Sequence, residues 1–92
     1  MTDPVLEQIR AQISDTDRAI LERVNARLEL VAQIKAYKDS QGIAFLDPER
    51  EQTMLRELAR ANSGRLSDEG LRELFGTILD LTKREVGGGQ TF

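Results

Sequence analysis

The 92-residue sequence contains no cysteine and no histidine. Their absence removes disulfides, thiolate nucleophiles, imidazole bases and the usual zinc sites together, and with them most covalent hydrolase chemistry. No apolar run approaches the roughly 20 residues needed to span a bilayer, so no membrane segment is expected. The N-terminus, MTDPVLEQIR, has neither the basic start nor the continuous apolar stretch of a secretory signal, and the expected compartment is the cytoplasm. A net charge of −3 gives no broad positive field, which speaks against nucleic-acid binding, since that depends on neutralising phosphates. What is present is an ordinary soluble composition, 39% hydrophobic and 32% charged, on a length that supports one domain with one modest core.

Prolines are scarce too, and both follow an aspartate, at Asp3-Pro4 and Asp47-Pro48. Each pair reads as a helix start, with Asp as the N-cap and Pro at the first helical position, where its missing N–H costs nothing. Between them Leu6, Ile9, Ile13, Ile20, Val24, Val31 and Ile34 recur at three-, four- and seven-residue steps, which only a helix gathers onto one face. A first helix is therefore expected from about Pro4 to about Asp39, stopped by Asp39-Ser40-Gln41-Gly42. A second is expected from Pro48 to about Ala61, burying Met54, Leu55 and Leu58 and ending at Asn62-Ser63-Gly64. A third begins after Ser67, with Asp68 and Glu69 in its first turn, and carries Leu71, Leu74, Phe75, Ile78, Leu79 and Leu81. No strand pattern competes. The expected fold class is all-α, three helices per chain with a long N-terminal helix, as a helical domain over residues 1–86 and a flexible tail over 87–92 from the glycine run onward.

The first helix would be about 54 Å long at 1.5 Å per residue, against roughly 30 Å for a compact globule of this size. One chain cannot cover it. Its apolar stripe continues to Ile34, so the uncovered half calls for another surface, most economically the same helix of a second copy. On a wheel turning about 100° per residue from Leu6, the stripe residues Ile20, Val24, Val31 and Ile34 span roughly 280° to 360°. Arg27 falls inside that arc at about 300° and Lys38 at about 320°, with Arg10 at the edge of the stripe. Inward cations must meet internal acids or an anionic ligand, because burying them unpaired costs several kcal/mol. Asp17, Asp47 and Glu51 are candidate internal partners, which would make the chain a plain helical dimerisation module. The other reading is a pocket for a small dicarboxylate, each arginine gripping a carboxylate with two bonds, and chemistry done by binding and electrostatics.

Four segments carry a more specific signal: I-R-x-x-I-S-x-x-D from Ile9 to Asp17, A-R-L-E-L-V from Ala26 to Val31, I-K-A-Y-K from Ile34 to Lys38, and D-P-E-R-E from Asp47 to Glu51. In this order and at these intervals the chain resembles the all-helical chorismate mutase family from Leu6 to Glu85. The resemblance implies an intertwined helical homodimer that exchanges its long first helices to make two shared sites, with no metal and no cofactor. It implies that Arg27 and Arg10 hold the two carboxylates of chorismate, Arg10 from the other protomer, and that Lys38 donates to the ether oxygen. Arg50 would be a supporting cation, Asp47 and Glu51 would fix the ring hydroxyl, Asp47 through its backbone, and Thr82 would stand for the family's frequent serine. Met54, Ile34 and Leu79 would be apolar walls. A regulatory shikimate-pathway enzyme is the implied class of protein partner.

The implied reaction is the intramolecular [3,3] rearrangement of chorismate to prephenate in aromatic amino-acid biosynthesis. It needs the flexible arm held over the ring and charge stabilised on the ether oxygen, which two carboxylate clamps and one cation can do. An isochorismate pyruvate-lyase on the same scaffold is the neighbouring enzyme reading. One position departs from the family: where it usually carries Gln or Glu as a second donor to the ether oxygen, the ungapped alignment puts Val86. That departure implies an active but inefficient enzyme whose Val86→Gln variant gains turnover.

Overall fold

The computed structural model describes residues 3–87. Three helices account for most of them, α1 at Pro4–Gln41, α2 at Pro48–Ala61 and α3 at Asp68–Glu85, with no strand among the described residues. The tail expected over 87–92 lies outside the described residues except for Gly87.

Each helix begins as its capping residues require. Asp3 Oδ1 accepts the backbone N–H groups of Val5 at 2.9 Å and Leu6 at 3.4 Å, and Asp47 Oδ1 accepts that of Arg50 at 3.1 Å. Ser67 Oγ accepts from Gly70 N–H at 2.9 Å. These oxygens satisfy first-turn donors that have no partner inside the helix. α1 runs two residues past the expected Asp39, to Gln41, because the stop is Gly42 itself. Gly42 adopts the left-handed conformation at φ 67°, and the chain reverses so that Ile43 N–H reaches the Lys38 carbonyl at 2.8 Å. α2 ends on Asn62, whose side chain donates to the Leu66 carbonyl at 2.7 Å and accepts from Gly64 N–H at 3.2 Å, tying the turn that leads into α3.

α2 and α3 pack on each other and cover only the C-terminal half of α1. Every residue from 3 to 23 is exposed, and the half-buried positions of α1 begin at Val24. The molecule is accordingly long, 61 × 28 × 22 Å with a radius of gyration of 17.2 Å, whereas a compact chain of this length would measure about 12 Å. Leu71, 3% exposed, is the sole buried apolar residue among those described. Met54, Leu55 and Leu58, expected to be buried, are half-buried, because a two-layer packing of short helices leaves one side of α2 open.

Candidate active site

The covered half of α1 supplies one wall of a cavity of ≈ 230 Å³, with α2 and α3 as the others. Val31, Ile34, Met54 and Leu79 give it an apolar lining, and Arg27, Lys38, Arg50, Glu51, Thr82 and Lys83 supply its polar groups. Arg27, Val31, Ile34 and Lys38 are spaced four, three and four residues apart, so one face of α1 presents them all.

Arg27 is half-buried, and its guanidinium is fixed from two other helices. Its Nη1 donates to Thr82 Oγ1 at 2.8 Å and its Nη2 to Met54 Sδ at 3.7 Å. Thr82 is itself 5% exposed and donates its hydroxyl proton to the Ile78 carbonyl at 2.7 Å, so its oxygen can only accept from Arg27. The plane of the guanidinium is thereby set at the cavity that Arg27 lines. Lys38, in the last turn of α1, sends its Nζ to the Phe45 carbonyl at 3.3 Å. Arg50 enters from the first turn of α2.

The acids that could have neutralised these cations are engaged elsewhere. Glu51 pairs with Lys83 of α3 at 3.2 Å, and the Asp47 carboxylate caps α2. Asp17 lies on the bare part of α1, outside the cavity lining. Among the described residues no carboxylate lies within ion-pair distance of Arg27, Lys38 or Arg50. The reading of Arg27 and Lys38 as structural ion pairs finds no support in this arrangement.

Of the residues picked from sequence, Arg27, Lys38, Asp47, Arg50, Glu51 and Thr82 are brought to one cavity. Arg10 is not: it lies 17 positions before Arg27, about 25 Å along the helix axis, is exposed, and meets Glu7 at 3.5 Å. Val86 is also elsewhere. It caps α3 and, with Glu85, lines a separate depression of ≈ 520 Å³ between α1 and the end of α3. The ring of Phe45 packs beside Gly87, just past the end of α3, which stops at Glu85 with Val86 as its cap. Three lining residues, Phe45, Leu46 and Lys83, escaped the sequence reading. Lys83 sits four residues after Leu79, a spacing that places both on one face of α3 and could have revealed it. Phe45 and Leu46 belong to a non-periodic connection and left no such signal.

A family model described as chorismate mutase type II matches residues 9–86. Two solved structures of a chorismate mutase from Thermus thermophilus superpose closely. Form I gives a TM-score of 0.81 at 31% identity, covering 84% of this chain and 96% of that one. Form II gives 0.79 at 33% identity, covering 88% and 97%. The T-protein of Enterobacter agglomerans is 42% identical over 50 residues, 54% of this chain, and the match spans 13% of that relative's length.

Proposed function

The chain belongs to the type II chorismate mutase family, and on that premise we propose that it converts chorismate to prephenate, as an isomerase of aromatic amino-acid biosynthesis. The observation that carries this reading is the set of three cations, Arg27, Lys38 and Arg50, at one apolar-walled cavity without carboxylate partners among the described residues. A dicarboxylate substrate supplies the missing negative charge.

The rearrangement breaks a C–O bond while a C–C bond forms, with no proton transferred and no covalent link to the protein. The work is to hold and to stabilise. Arg27, its plane fixed by Thr82 and Met54, grips one carboxylate with two parallel bonds. The apolar walls Val31, Ile34, Met54 and Leu79 press the enolpyruvyl arm over the ring, which raises the population of reactive geometry. Lys38 donates to the ether oxygen as negative charge grows there, an interaction stronger in the transition state than in the ground state. Glu51, oriented by Lys83, accepts a hydrogen bond from the ring hydroxyl, and the backbone at Asp47 assists.

The second carboxylate clamp, Arg10, comes from a second copy of the chain. The separation along α1 supports this, as does the apolar surface left bare on its N-terminal half, where Leu6, Ile9, Ile13 and Ile20 are 47–57% exposed. An intertwined homodimer covers that surface and completes both sites. A shikimate-pathway enzyme acting as regulator would raise turnover when added to the dimer.

The test is incubation of the purified chain with chorismate and, separately, isochorismate. Prephenate formed from chorismate is the expected result. Pyruvate from isochorismate without prephenate would reassign the protein as a lyase, and inertness toward both would leave a dimerisation module.

A further inference from the structure

Six residues, 42–47, connect α1 to α2, and of these Phe45 alone is half-buried. Its ring meets α1 and the residue that follows the end of α3. Lys35 Nζ of α1 stands 5.7 Å from the ring centroid, within cation–π range. The opposite contact is with Gly87, just beyond α3, where an added Cβ would lie 2.6 Å from Phe45 Cε2 and 2.8 Å from the Lys83 carbonyl oxygen. A backbone oxygen cannot swing aside, so a side chain at 87 would force the ring or the end of α3 to move. Glycine is required here by close approach.

The backbone of the same phenylalanine faces the cavity. Its carbonyl accepts Lys38 Nζ at 3.3 Å, while the carbonyl of Lys38 accepts from Ile43 N–H at 2.8 Å. Lys38 is thus held at its main chain and at its ammonium by one short stretch, and that stretch is anchored mainly through the Phe45 ring. A lysine stem has four rotatable carbons and an ammonium with three donors. A fixed acceptor on one donor selects a rotamer and leaves two donors for a ligand in the cavity that Lys38 lines.

We propose that Phe45, seated against Gly87, is a positioning residue that aims the Lys38 ammonium at the reacting ether oxygen. The inference rests on the reading of Lys38 as the donor to that oxygen. It predicts a defect in turnover rather than in substrate capture, because the carboxylate clamps do not depend on the connection.

Steady-state kinetics on the purified full chain decide it. For Gly87→Ala and for Phe45→Leu, which keeps apolar bulk so that the connection still packs, kcat should fall about tenfold with KM within about twofold of the parent, since misplacing a preorganised donor costs rate and not binding. Phe45→Tyr keeps the ring edge that meets Gly87 and should retain kcat within about twofold. Helical ellipticity at the assay temperature should match the parent in all three, so that lost turnover is not lost folded protein. Unchanged kcat in Gly87→Ala and Phe45→Leu, or kcat lost only in proportion to ellipticity, would overturn the positioning role. Failure of the parent chain itself to convert chorismate would instead remove the functional reading and this inference with it.

Discussion

Arg27 combines three properties that seldom coincide in a surface arginine: half-burial, a guanidinium plane fixed by Thr82 and Met54, and no carboxylate within ion-pair distance among the described residues. Fixing the plane removes in advance much of the entropy a flexible cation would lose on gripping a carboxylate. Lysine at this position would keep the charge but lose the paired bonds and the hold from Thr82. Arg27→Lys should therefore lower kcat/KM about 10²–10³-fold, the range seen when a preorganised donor is removed. Its helical content should match the parent. A variant with parental kinetics would show that this arginine does not touch substrate. Lys83 and Glu51 illustrate the opposite case, a cation and an acid that compensate each other and leave the cavity's excess charge to its other three cations.

At the scale of the helices, starts and stops were legible because they depend on single residues acting locally. Asp3-Pro4, Asp47-Pro48 and Ser67 each cap the helix they precede. Arg27 and Lys38 were legible as inward-facing cations, and so as cavity-lining residues, because a helical wheel needs only the period of α1. Lys83 and Phe45 were not, since the pairing of Lys83 with Glu51 and the seating of Phe45 on Gly87 follow from how α3 packs across the other elements. Asp47 does local duty and separates two roles. Asp47→Ala deletes the α2 cap at a cost of about 1 kcal/mol, which should lower the melting temperature by roughly 4–8 °C for a domain of this size. If its contribution to substrate is the backbone alone, kcat/KM well below the melting range should stay within about threefold of the parent, a difference of less than 1 kcal/mol. A larger loss would place the carboxylate itself on the substrate. The end of α3 separates two outcomes. Aligned by position, Val86 should face the ether oxygen, and Val86→Gln should gain turnover. Val86 caps the helix and lines the α1–α3 depression; if it stays there when substrate is bound, Val86→Gln should leave kcat within about twofold, because a donor outside the cavity stabilises nothing at the ether oxygen. A rise of tenfold or more would show that α3 continues by another turn when substrate is bound.

The whole molecule is governed by a mismatch between one helix and the rest. α1 is 38 residues long, α2 and α3 together hold 32, and residues 3–23 are exposed along their whole length. A second copy that buries this apolar surface should make folding and dimerisation one event, so light scattering at micromolar concentration should find dimers and no folded monomer. The same geometry predicts how sites are shared. If each site takes Arg27 from one chain and Arg10 from the other, Arg10→Ala and Arg27→Ala should each be inactive as pure dimers, since both sites then lack a clamp. A mixed dimer is different. Its first site combines the intact Arg27 of the Arg10→Ala chain with the intact Arg10 of the Arg27→Ala chain, and its second site lacks both. Random re-pairing after refolding equal amounts makes half the dimers mixed, so about a quarter of all sites should be whole in a two-fold symmetric assembly. The restored activity should show the parental KM, because those sites are unaltered. A mixture whose mixed dimers are confirmed by mass spectrometry yet remain as inactive as either variant would mean that Arg10 does not serve the partner's site. Parental activity in Arg10→Ala alone would mean that a different residue holds the second carboxylate.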